Sequence, residues 1–524
     1  GELLNIKNKT IPVYPVLIAI FPVISLLGRN IQEVYPGVAI PPMGMILLGT
    51  LLVWAAWRMV GCSWQKSAFL TTWVLLLFFT YGHVYTALKI PGWAVARHAI
   101  LLPLWAILWL GGSAVIWKFL RPGKQLTMVM NTISVFLLLV PVFQIGSYTF
   151  RTWQARRDVS ATSTVQASTA VLTPPDELPD IYVIVLDSHE RTDVLKETYG
   201  LDNQPFVDSL TKLGFYVAPC SMSNYAYTPL SISSILNMNY IDQMGEWFDP
   251  QGQDRTPLFE LVKHNAVRLN LEALGYRSVS MVSYQPLAWE DADEYYSTDP
   301  SSLASFQQSG QISQFEQLVW QTTAVKVLLD HPIRQSRVAA IPDGHPYADH
   351  ILQQWYIFDQ LGKMPAVRGP KLVFVHINIP HPPYAFHADG SLIQDPPPLP
   401  WIEPIAWDQY LGYYAGQVQY VDAQILPILQ KIIEESVADP VILLFGDHGA
   451  DSANRLAILN AYYVPESVKD DLYPSISPVN SFRVIFNGMF GTDFERLEDR
   501  SYLSDQAEIY QFTPYGETMP GCLP

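Results

Sequence analysis

Five long apolar stretches, separated by short polar segments, fill the first 150 residues. Each is close to the ~20 apolar residues that a helix needs to cross a bilayer. Acidic residues are almost absent from this part of the chain, so five membrane-spanning helices are predicted rather than buried helices of a soluble domain. The predicted spans are 11–28, 42–60, 67–87, 98–119 and 127–149.

A different pattern follows residue 178, where short apolar runs rich in β-branched residues alternate with stretches of helical periodicity. The apolar runs lie at 180–186, 277–282, 371–379 and 440–445. The helical stretches lie at 190–199, 204–214, 228–237, 257–274, 312–330, 346–362 and 407–436. This alternation predicts an α/β domain with a mostly parallel sheet sandwiched by helices. Ligands of such domains bind beyond the carboxyl ends of the strands.

The chain is therefore predicted to have three parts. These are a transmembrane domain over residues 1–150, a linker over 151–178 and an α/β domain over 179–524. The linker is predicted because 158–178 is rich in Ser, Thr and Ala and contains a Pro pair, a composition that cannot build a core.

Charge divides the chain in the same place. Residues 1–175 carry a net charge of +10 and the remainder carries −26, out of −16 for the whole chain. The acidic part would repel nucleic acid, which excludes DNA or RNA as a partner, whereas the basic part suits anionic lipid head groups.

The short loops between the apolar stretches predict the orientation of the chain. Lys and Arg are concentrated in the loops that are cytoplasmic when the amino terminus is inside, as the positive-inside rule requires. An odd number of spans then places the α/β domain outside the cytoplasm, in a multi-pass protein of the cell membrane. Arg151, Arg156 and Arg157 follow the fifth span and run against this rule.

Cysteine is sparse: the chain has Cys62, Cys220 and Cys522. The last two would share an oxidising compartment and form a candidate disulfide, and two free thiols are the alternative. No grouping of Cys and His suggests a structural zinc site.

The most informative stretch for chemistry is the apolar run 440–445, which ends in Gly446-Asp447-His448-Gly449. Asp187 ends a similar run at 180–186. Such residues at the rim of a sheet are typical ligands of a divalent cation, and capping of the next helix is the alternative for Asp187 alone. Thr228 precedes Pro229 at the start of a helical stretch, and it is both a good helix N-cap and a hydroxyl that a metal ion could activate.

Histidines and one arginine extend the candidate site. His381 follows the run 371–379 and is placed to bind a substrate oxyanion or to protonate a leaving group. His376 lies within that run and is better explained as a core residue. His189 and Arg191 follow Asp187 and would either contact phosphate or face solvent.

These segments resemble the alkaline phosphatase/sulfatase superfamily, and its membrane-anchored branch of lipoteichoic acid synthases and phosphoethanolamine transferases in particular. The segments Asn224–Asn237, Leu459–Pro465 and Ser477–Arg483 are also similar to sulfatase-like membrane proteins. The resemblance implies five spans before an extracytoplasmic catalytic domain. It further implies a Thr nucleophile at Thr228 and one divalent ion, whether Mn, Zn or Mg, held by Asp187, Thr228, Asp447 and His448. Substrate contacts are then expected from His381, Arg191 and Asn224.

The departures from that family narrow the expected reaction. Sulfatases need Cys or Ser two positions before a Pro, where this chain has Tyr227 before Pro229, and no His follows His448 to complete a two-zinc site. The expected activity is phosphoryl transfer or phosphodiester cleavage through a phospho-threonine, acting on a membrane lipid or an envelope glycan. Hydrolysis of other esters, and a catalytically silent accessory subunit of a membrane complex with unknown partners, are the alternatives.

Overall fold

The computed structural model describes residues 10–516, apart from 32–33, 35, 90–92, 94, 96, 169–171, 245–252, 297–313, 330–340, 342–344, 401–402 and 451–453. The chain divides into two compact units. The first, here called the membrane unit, contains residues 1–150 and 299–339, and the second, the sheet unit, contains 151–298 and 340–524. The sequence prediction did not assign 299–339 to the first unit.

The α-helices of the described residues are α1 (Tyr14–Arg29), α2 (Ile40–Met59), α3 (Trp64–Lys89), α4 (His98–Phe119), α5 (Lys124–Ser168), α6 (Thr192–Tyr199), α7 (Gln204–Lys212), α8 (Thr228–Asn237), α9 (Thr256–Lys263), α10 (Ala266–Ala273), α11 (Gln314–Gln321), α12 (Lys326–Leu329), α13 (Ala348–Leu361), α14 (Trp407–Glu435), α15 (Glu466–Lys469) and α16 (Ser481–Phe490). Four helical segments within the described residues are long and apolar enough to cross a membrane: 36–59, 64–88, 98–119 and 124–158. Helix α1 is apolar but has only 16 residues.

The strands are β1 (Ile181–Leu186), β2 (Tyr216–Val217), β3 (Arg277–Val282), β4 (Glu294–Tyr296), β5 (Lys371–Ile377), β6 (Val441–Phe445), β7 (Asn460–Tyr463), β8 (Ser501–Leu503) and β9 (Thr513–Tyr515). Seven of them form a sheet in the order β2-β7-β6-β1-β5-β3-β4. Strands β6, β1, β5, β3 and β4 are parallel to one another. At one edge of the sheet β7 pairs antiparallel with β6, and β2 pairs antiparallel with β7. The sheet is therefore mostly parallel, as predicted.

Both faces of this sheet are covered. Alternate residues of β1 belong to two different hydrophobic clusters, with Val183 in one and Ile184 in the other. All six residues of β1 are buried, which explains why the run reads as continuously apolar rather than alternating.

Helix α5 extends into the predicted linker. It continues to Ser168, within residues 151–178 that were predicted to be a linker. Beyond it, Leu172 packs against the core of the sheet unit and the backbone N–H of Thr173 donates to the carbonyl of Phe490. The small polar residues that suggested a linker therefore lie largely on a helix, because Ala, Ser and Gln tolerate helical geometry when the preceding turns already fix it.

Two of the three arginines that run against the positive-inside rule, Arg151 and Arg156, have carboxylate partners within the sheet unit. Arg151 pairs with Asp254 at 3.2 Å, and Arg156 pairs with the buried carboxylate of Glu260 at 3.2 Å. Because both positive charges are balanced by carboxylates of the protein, they are a weak signal for the side of the membrane on which they lie.

Candidate active site

Strand register brings the two predicted acidic ligands to one edge. Strand β1 pairs with β6 so that Val185 lies beside Phe445, and with β5 so that Leu186 lies beside Ile377. The carboxyl ends of these parallel strands are therefore level. Asp187 follows β1 directly, and Asp447 follows β6 after Gly446. Both acids are buried: Asp187 is 4% exposed and Asp447 is 0% exposed.

Asp187, Asp447 and His448 form a compact cluster of potential ligands. One ligand atom from each lies within 4.8 Å of the others, and all three residues are buried. The Nε2 atom of His448 lies 3.6 Å from Oδ2 of Asp447 and 3.8 Å from Oδ1 of Asp187. Both distances are too long for direct hydrogen bonds. They suit two carboxylates and an imidazole that share one ion.

The tautomer of His448 follows from its surroundings. Its Nδ1 lies 2.7 Å from the carbonyl oxygen of Gly449, which can only accept, so Nδ1 carries the hydrogen. Nε2 is then left with a lone pair directed at the cluster, as a metal ligand requires. Burial lowers the pKa of His448, which keeps the imidazole neutral at pH 7.

Thr228 joins this cluster from helix α8. Its Oγ1 lies 3.1 Å from Nε2 of His448. The sequence prediction placed Thr228 at the N-cap, but Thr228 is the first helical residue and Tyr227 is the N-cap. The difference is one residue at a helix boundary, and it leaves the hydroxyl at the positively polarised end of the helix, where an attached phosphoryl group would be stabilised.

The loop after β1 is held tightly in place. Ser188 has a positive φ of 67°, which is rare for a residue with a side chain. Its backbone N–H donates to Oδ1 of Asp447 at 3.1 Å, and its carbonyl accepts from the hydroxyl of Tyr414 at 2.7 Å. A side chain at Gly446 would overlap the carbonyl oxygen of His189, so only glycine allows the β6 loop to approach this closely.

Asp187 is surrounded by imidazoles. His376 is fully buried in β5, as expected of a core residue, but its Nε2 lies 3.4 Å from Oδ2 of Asp187. The backbone N–H of His381 donates to the carbonyl of Asp187 at 3.0 Å, which holds the loop after β5 at the same rim. Burial by itself opposes ionisation of Asp187, but the nearby His381 and His376 outweigh it and hold the pKa of this carboxyl below its ordinary value.

A divalent metal fits these residues. Oδ2 of Asp447 is buried and has no hydrogen-bond partner among the described residues. An unpartnered carboxylate oxygen in the interior is costly unless a cation compensates it. Two carboxylates, one neutral imidazole and a hydroxyl suit Zn, Mn or Mg, and the donor set does not choose among these metals.

Two residues predicted to contact substrate make structural contacts within the protein. The amide nitrogen of Asn224 donates to the carbonyl of Arg500 at 2.8 Å and its oxygen accepts from the N–H of Val479 at 2.9 Å, with 1% of the residue exposed. Arg191 is buried and holds Asp193 through two bonds of 2.7 Å and the carbonyl of Ser221 at 3.0 Å. Both residues therefore tie loops together, and their contact with substrate stays a prediction.

His189 was predicted either to contact phosphate or to face solvent, and its position in the structure agrees with neither. It is fully buried, with Nε2 2.9 Å from Oδ1 of Asp422 and Nδ1 3.0 Å from the carbonyl of Glu190. Asp422 lies on α14, 233 residues further along the chain. Nothing local in the sequence signals this pairing.

Arg455, like Asp422, is a residue near the site that the sequence analysis did not find. Its Nε donates to the carbonyl of Ala226 at 2.9 Å, and its guanidinium lies over the ring of Tyr227, 5.4 Å from the centroid. Its own carbonyl accepts from the N–H of Gly449. Arg455 thus connects the loop that carries Thr228 with the loop that carries His448.

The structure describes one of the two cysteines of the predicted disulfide. Cys220 is disulfide-bonded, and Cys522 lies outside the described residues. Cys62 is a free, buried cysteine of the membrane unit.

No family model matches the sequence, and no curated protein matches it. Solved structures similar to the chain include the C-terminal periplasmic domain of EcEptC from Escherichia coli in complex with Zn, at 12% identity and a TM-score of 0.41, covering 64% of this chain and 93% of that one. The integral membrane lipooligosaccharide phosphoethanolamine transferase A from Neisseria meningitidis is similar over 91% of this chain and 94% of its own, at 12% identity and a TM-score of 0.36.

The phosphonate monoester hydrolase of Agrobacterium radiobacter is also similar, at 13% identity and a TM-score of 0.36, over 62% of this chain and 80% of that one.

Proposed function

We propose that this chain is a membrane-anchored, metal-dependent phosphotransferase or phosphodiesterase of the alkaline phosphatase/sulfatase superfamily. The observation that carries the proposal is the convergence of Asp187, Asp447 and His448 within 4.8 Å, with the Thr228 hydroxyl 3.1 Å from His448. These residues come from two loops and the start of α8, which are far apart in the sequence. A purely structural role would not explain a buried carboxylate oxygen with no hydrogen-bond partner in the described part of the chain.

Asp187, Asp447, His448 and Thr228 would hold one divalent ion. When bound, the ion would lower the pKa of the Thr228 hydroxyl and offset negative charge that develops on the phosphoryl oxygens. Oγ1 of Thr228, having released its proton to solvent, attacks phosphorus, so that a bond forms between Oγ1 and phosphorus while the bond to the leaving alcohol breaks. Water or the hydroxyl of a second substrate then takes the phosphoryl group, and the bond between phosphorus and Oγ1 breaks. The N-terminal turn of α8 stabilises the resulting phosphorylated side chain.

His381 is proposed to serve the leaving group. It lies at the rim beside Asp187 and its side chain is half-buried, so an imidazole proton can reach the departing oxygen. Burial, with a smaller effect of the charge on His381, lowers the pKa of His350 on α13 to about 3. His350 is therefore a neutral neighbour that does not compete as a cation.

The membrane unit is proposed to anchor the sheet unit on the extracytoplasmic side. If the three apolar segments 64–88, 98–119 and 124–158 each cross the bilayer, successive segments cross it in opposite directions. Residue 158 then lies on the same side of the bilayer as residue 88. If α1 and α2 also cross, the amino terminus is cytoplasmic and the sheet unit is outside, in agreement with the distribution of Lys and Arg. An anchored enzyme on that side would meet lipid head groups and envelope glycans as substrates.

Turnover of simple aryl esters tests this proposal. The purified full-length protein is expected to cleave bis(p-nitrophenyl) phosphate, to lose that activity after treatment with EDTA, and to regain it when Mn, Zn or Mg is returned. Faster cleavage of p-nitrophenyl sulfate than of the phosphodiester would favour the sulfatase-like alternative. No metal-dependent turnover of these esters, together with no transfer from native lipids, would favour a silent accessory subunit.

A further inference from the structure

A short part of the chain between β4 and α13 belongs to the membrane unit. Residues 314–329, here called the inserted segment, contain α11 and α12. Phe315, Val319 and Trp320 of α11 are buried in a cluster with Val23 of α1 and Phe79 of α3. The segment is thus packed into the apolar helices, although the chain before residue 299 and after residue 339 belongs to the sheet unit.

Backbone hydrogen bonds join the inserted segment to the middle of α3. The N–H of Ala324 donates to the carbonyl of Phe78 at 2.9 Å, and the N–H of Gly82 donates to the carbonyl of Thr322 at 3.0 Å. A Cβ atom at Gly82 would overlap the carbonyl oxygen of Gln321. This contact between two backbones exists only because residue 82 has no side chain.

The position of these bonds along α3 indicates the depth of the inserted segment. Gly82 lies six residues before the end of the apolar segment 64–88, which corresponds to about 9 Å along a helix. Phe78 lies one further turn inside. If residues 64–88 cross the bilayer, the segment bonded to Phe78 and Gly82 lies within the hydrocarbon layer.

Two threonine hydroxyls of the inserted segment are paired within it, as buried polar groups at that depth must be. The hydroxyl of Thr322 donates to the carbonyl of Val319 at 2.8 Å, and that of Thr323 donates to the carbonyl of Trp320 at 2.8 Å. Thr323 also accepts from the N–H of Val325 at 3.1 Å. Carbonyls that α11 leaves without helical partners at its end are thereby paired without water.

The outer surface of the inserted segment is apolar. Leu318 is 48% exposed and Leu328 is 66% exposed. Lys326, the cation of this segment, lies with its ammonium 5.4 Å from the ring centroid of Tyr85, near the end of α3, as expected where a long side chain reaches toward the interface. We propose that the inserted segment is a re-entrant membrane element whose Leu318 and Leu328 contact the acyl chains of bilayer lipids.

Spin labelling in vesicles tests this proposal independently of catalysis. Full-length chains with Cys62→Ala and one added cysteine, L318C or L328C, would be labelled with a nitroxide and placed in vesicles of phosphatidylethanolamine and phosphatidylglycerol. V437C is the matched control, because Val437 is fully exposed in the sheet unit. The chain with Cys62→Ala alone measures labelling of the remaining cysteines.

We expect labels at positions 318 and 328 to collide more with oxygen than with the polar nickel complex NiEDDA, and the label at 437 to show the reverse. If labels at 318 and 328 were as accessible to NiEDDA as the label at 437, these residues would lie in water and the proposal would be wrong.

A second variant tests the contact with α3. Gly82→Leu would push Gln321 away, so the label at 318 should become more accessible to NiEDDA. Gly111→Leu is the control, since a side chain at Gly111 on α4 meets nothing within 4 Å, and it should cause no change. An equal change in NiEDDA accessibility in both variants would contradict docking through Gly82. If Gly82→Leu does not fold, the L318C and L328C chains that keep Gly82 still decide the proposal.

Discussion

Replacing Thr228 with alanine is expected to lower turnover of a phosphodiester by at least about 10³-fold, because it removes the atom that attacks phosphorus. The ion should still bind, since Asp187, Asp447 and His448 are unchanged. Steady-state cleavage of bis(p-nitrophenyl) phosphate measures the first quantity, and the metal content of the purified chain measures the second.

Two controls separate this effect from a general loss of structure. Thr228→Ser keeps a hydroxyl at the start of α8 and should retain measurable turnover. Thr211→Ala removes an exposed hydroxyl on α7 that bonds only within its own helix, and it should leave turnover unchanged. Thr228→Ala with turnover close to that of the unsubstituted chain would rule out Thr228 as the nucleophile.

Asp447→Asn is expected to weaken metal binding by more than the ~10- to 100-fold that loss of an outer partner of a metal ligand costs, and to abolish turnover with it. The amide can still accept from the N–H of Ser188, so the loop geometry should survive. What is lost is the negative charge on an oxygen that has no hydrogen-bond partner among the residues that the structure describes. Titration of the metal-free protein with Mn or Zn measures the affinity.

The stability of the metal-free protein distinguishes this explanation from misfolding. Without metal, Asp187 and Asp447 are buried acids close to one another, and removing one charge relieves their repulsion. Metal-free Asp447→Asn should therefore unfold at a temperature equal to or above that of the metal-free unsubstituted chain. A variant that binds metal as tightly as the unsubstituted chain would show that Asp447 is not a ligand.

The strand ends that carry the site could be predicted because their signal is local. Continuous apolar runs before Asp187 and Asp447 indicate strands buried on both faces, and parallel strands bring their carboxyl ends to one edge. Thr228 could be found for a similar reason, since Thr-Pro before an apolar stretch marks a helix start. The short strands β2, β4, β8 and β9 could not be predicted, because two or three residues show no periodicity.

The contacts that fix the loops could not be predicted, since they join residues far apart in the chain. Asn224 bonds to Val479 across 255 positions, and His189 bonds to Asp422 across 233. A polar residue near a catalytic motif appears equally suited to bind substrate until its long-range partners are known. The assignment of residues 314–329 to the membrane unit is of the same kind, because their sequence alone indicates only a helix.

The most direct test of the central claim is acid quenching of the full-length enzyme within the first turnover of a phosphodiester, followed by mass spectrometry of its peptides. We predict a phosphoryl-containing mass increment on the peptide that includes Thr228, formed before the steady state and absent from Thr228→Ala. Turnover of the phosphodiester with no increment on this peptide, or with the increment on another residue, would contradict a phospho-threonine intermediate at the site formed by Asp187, Asp447 and His448.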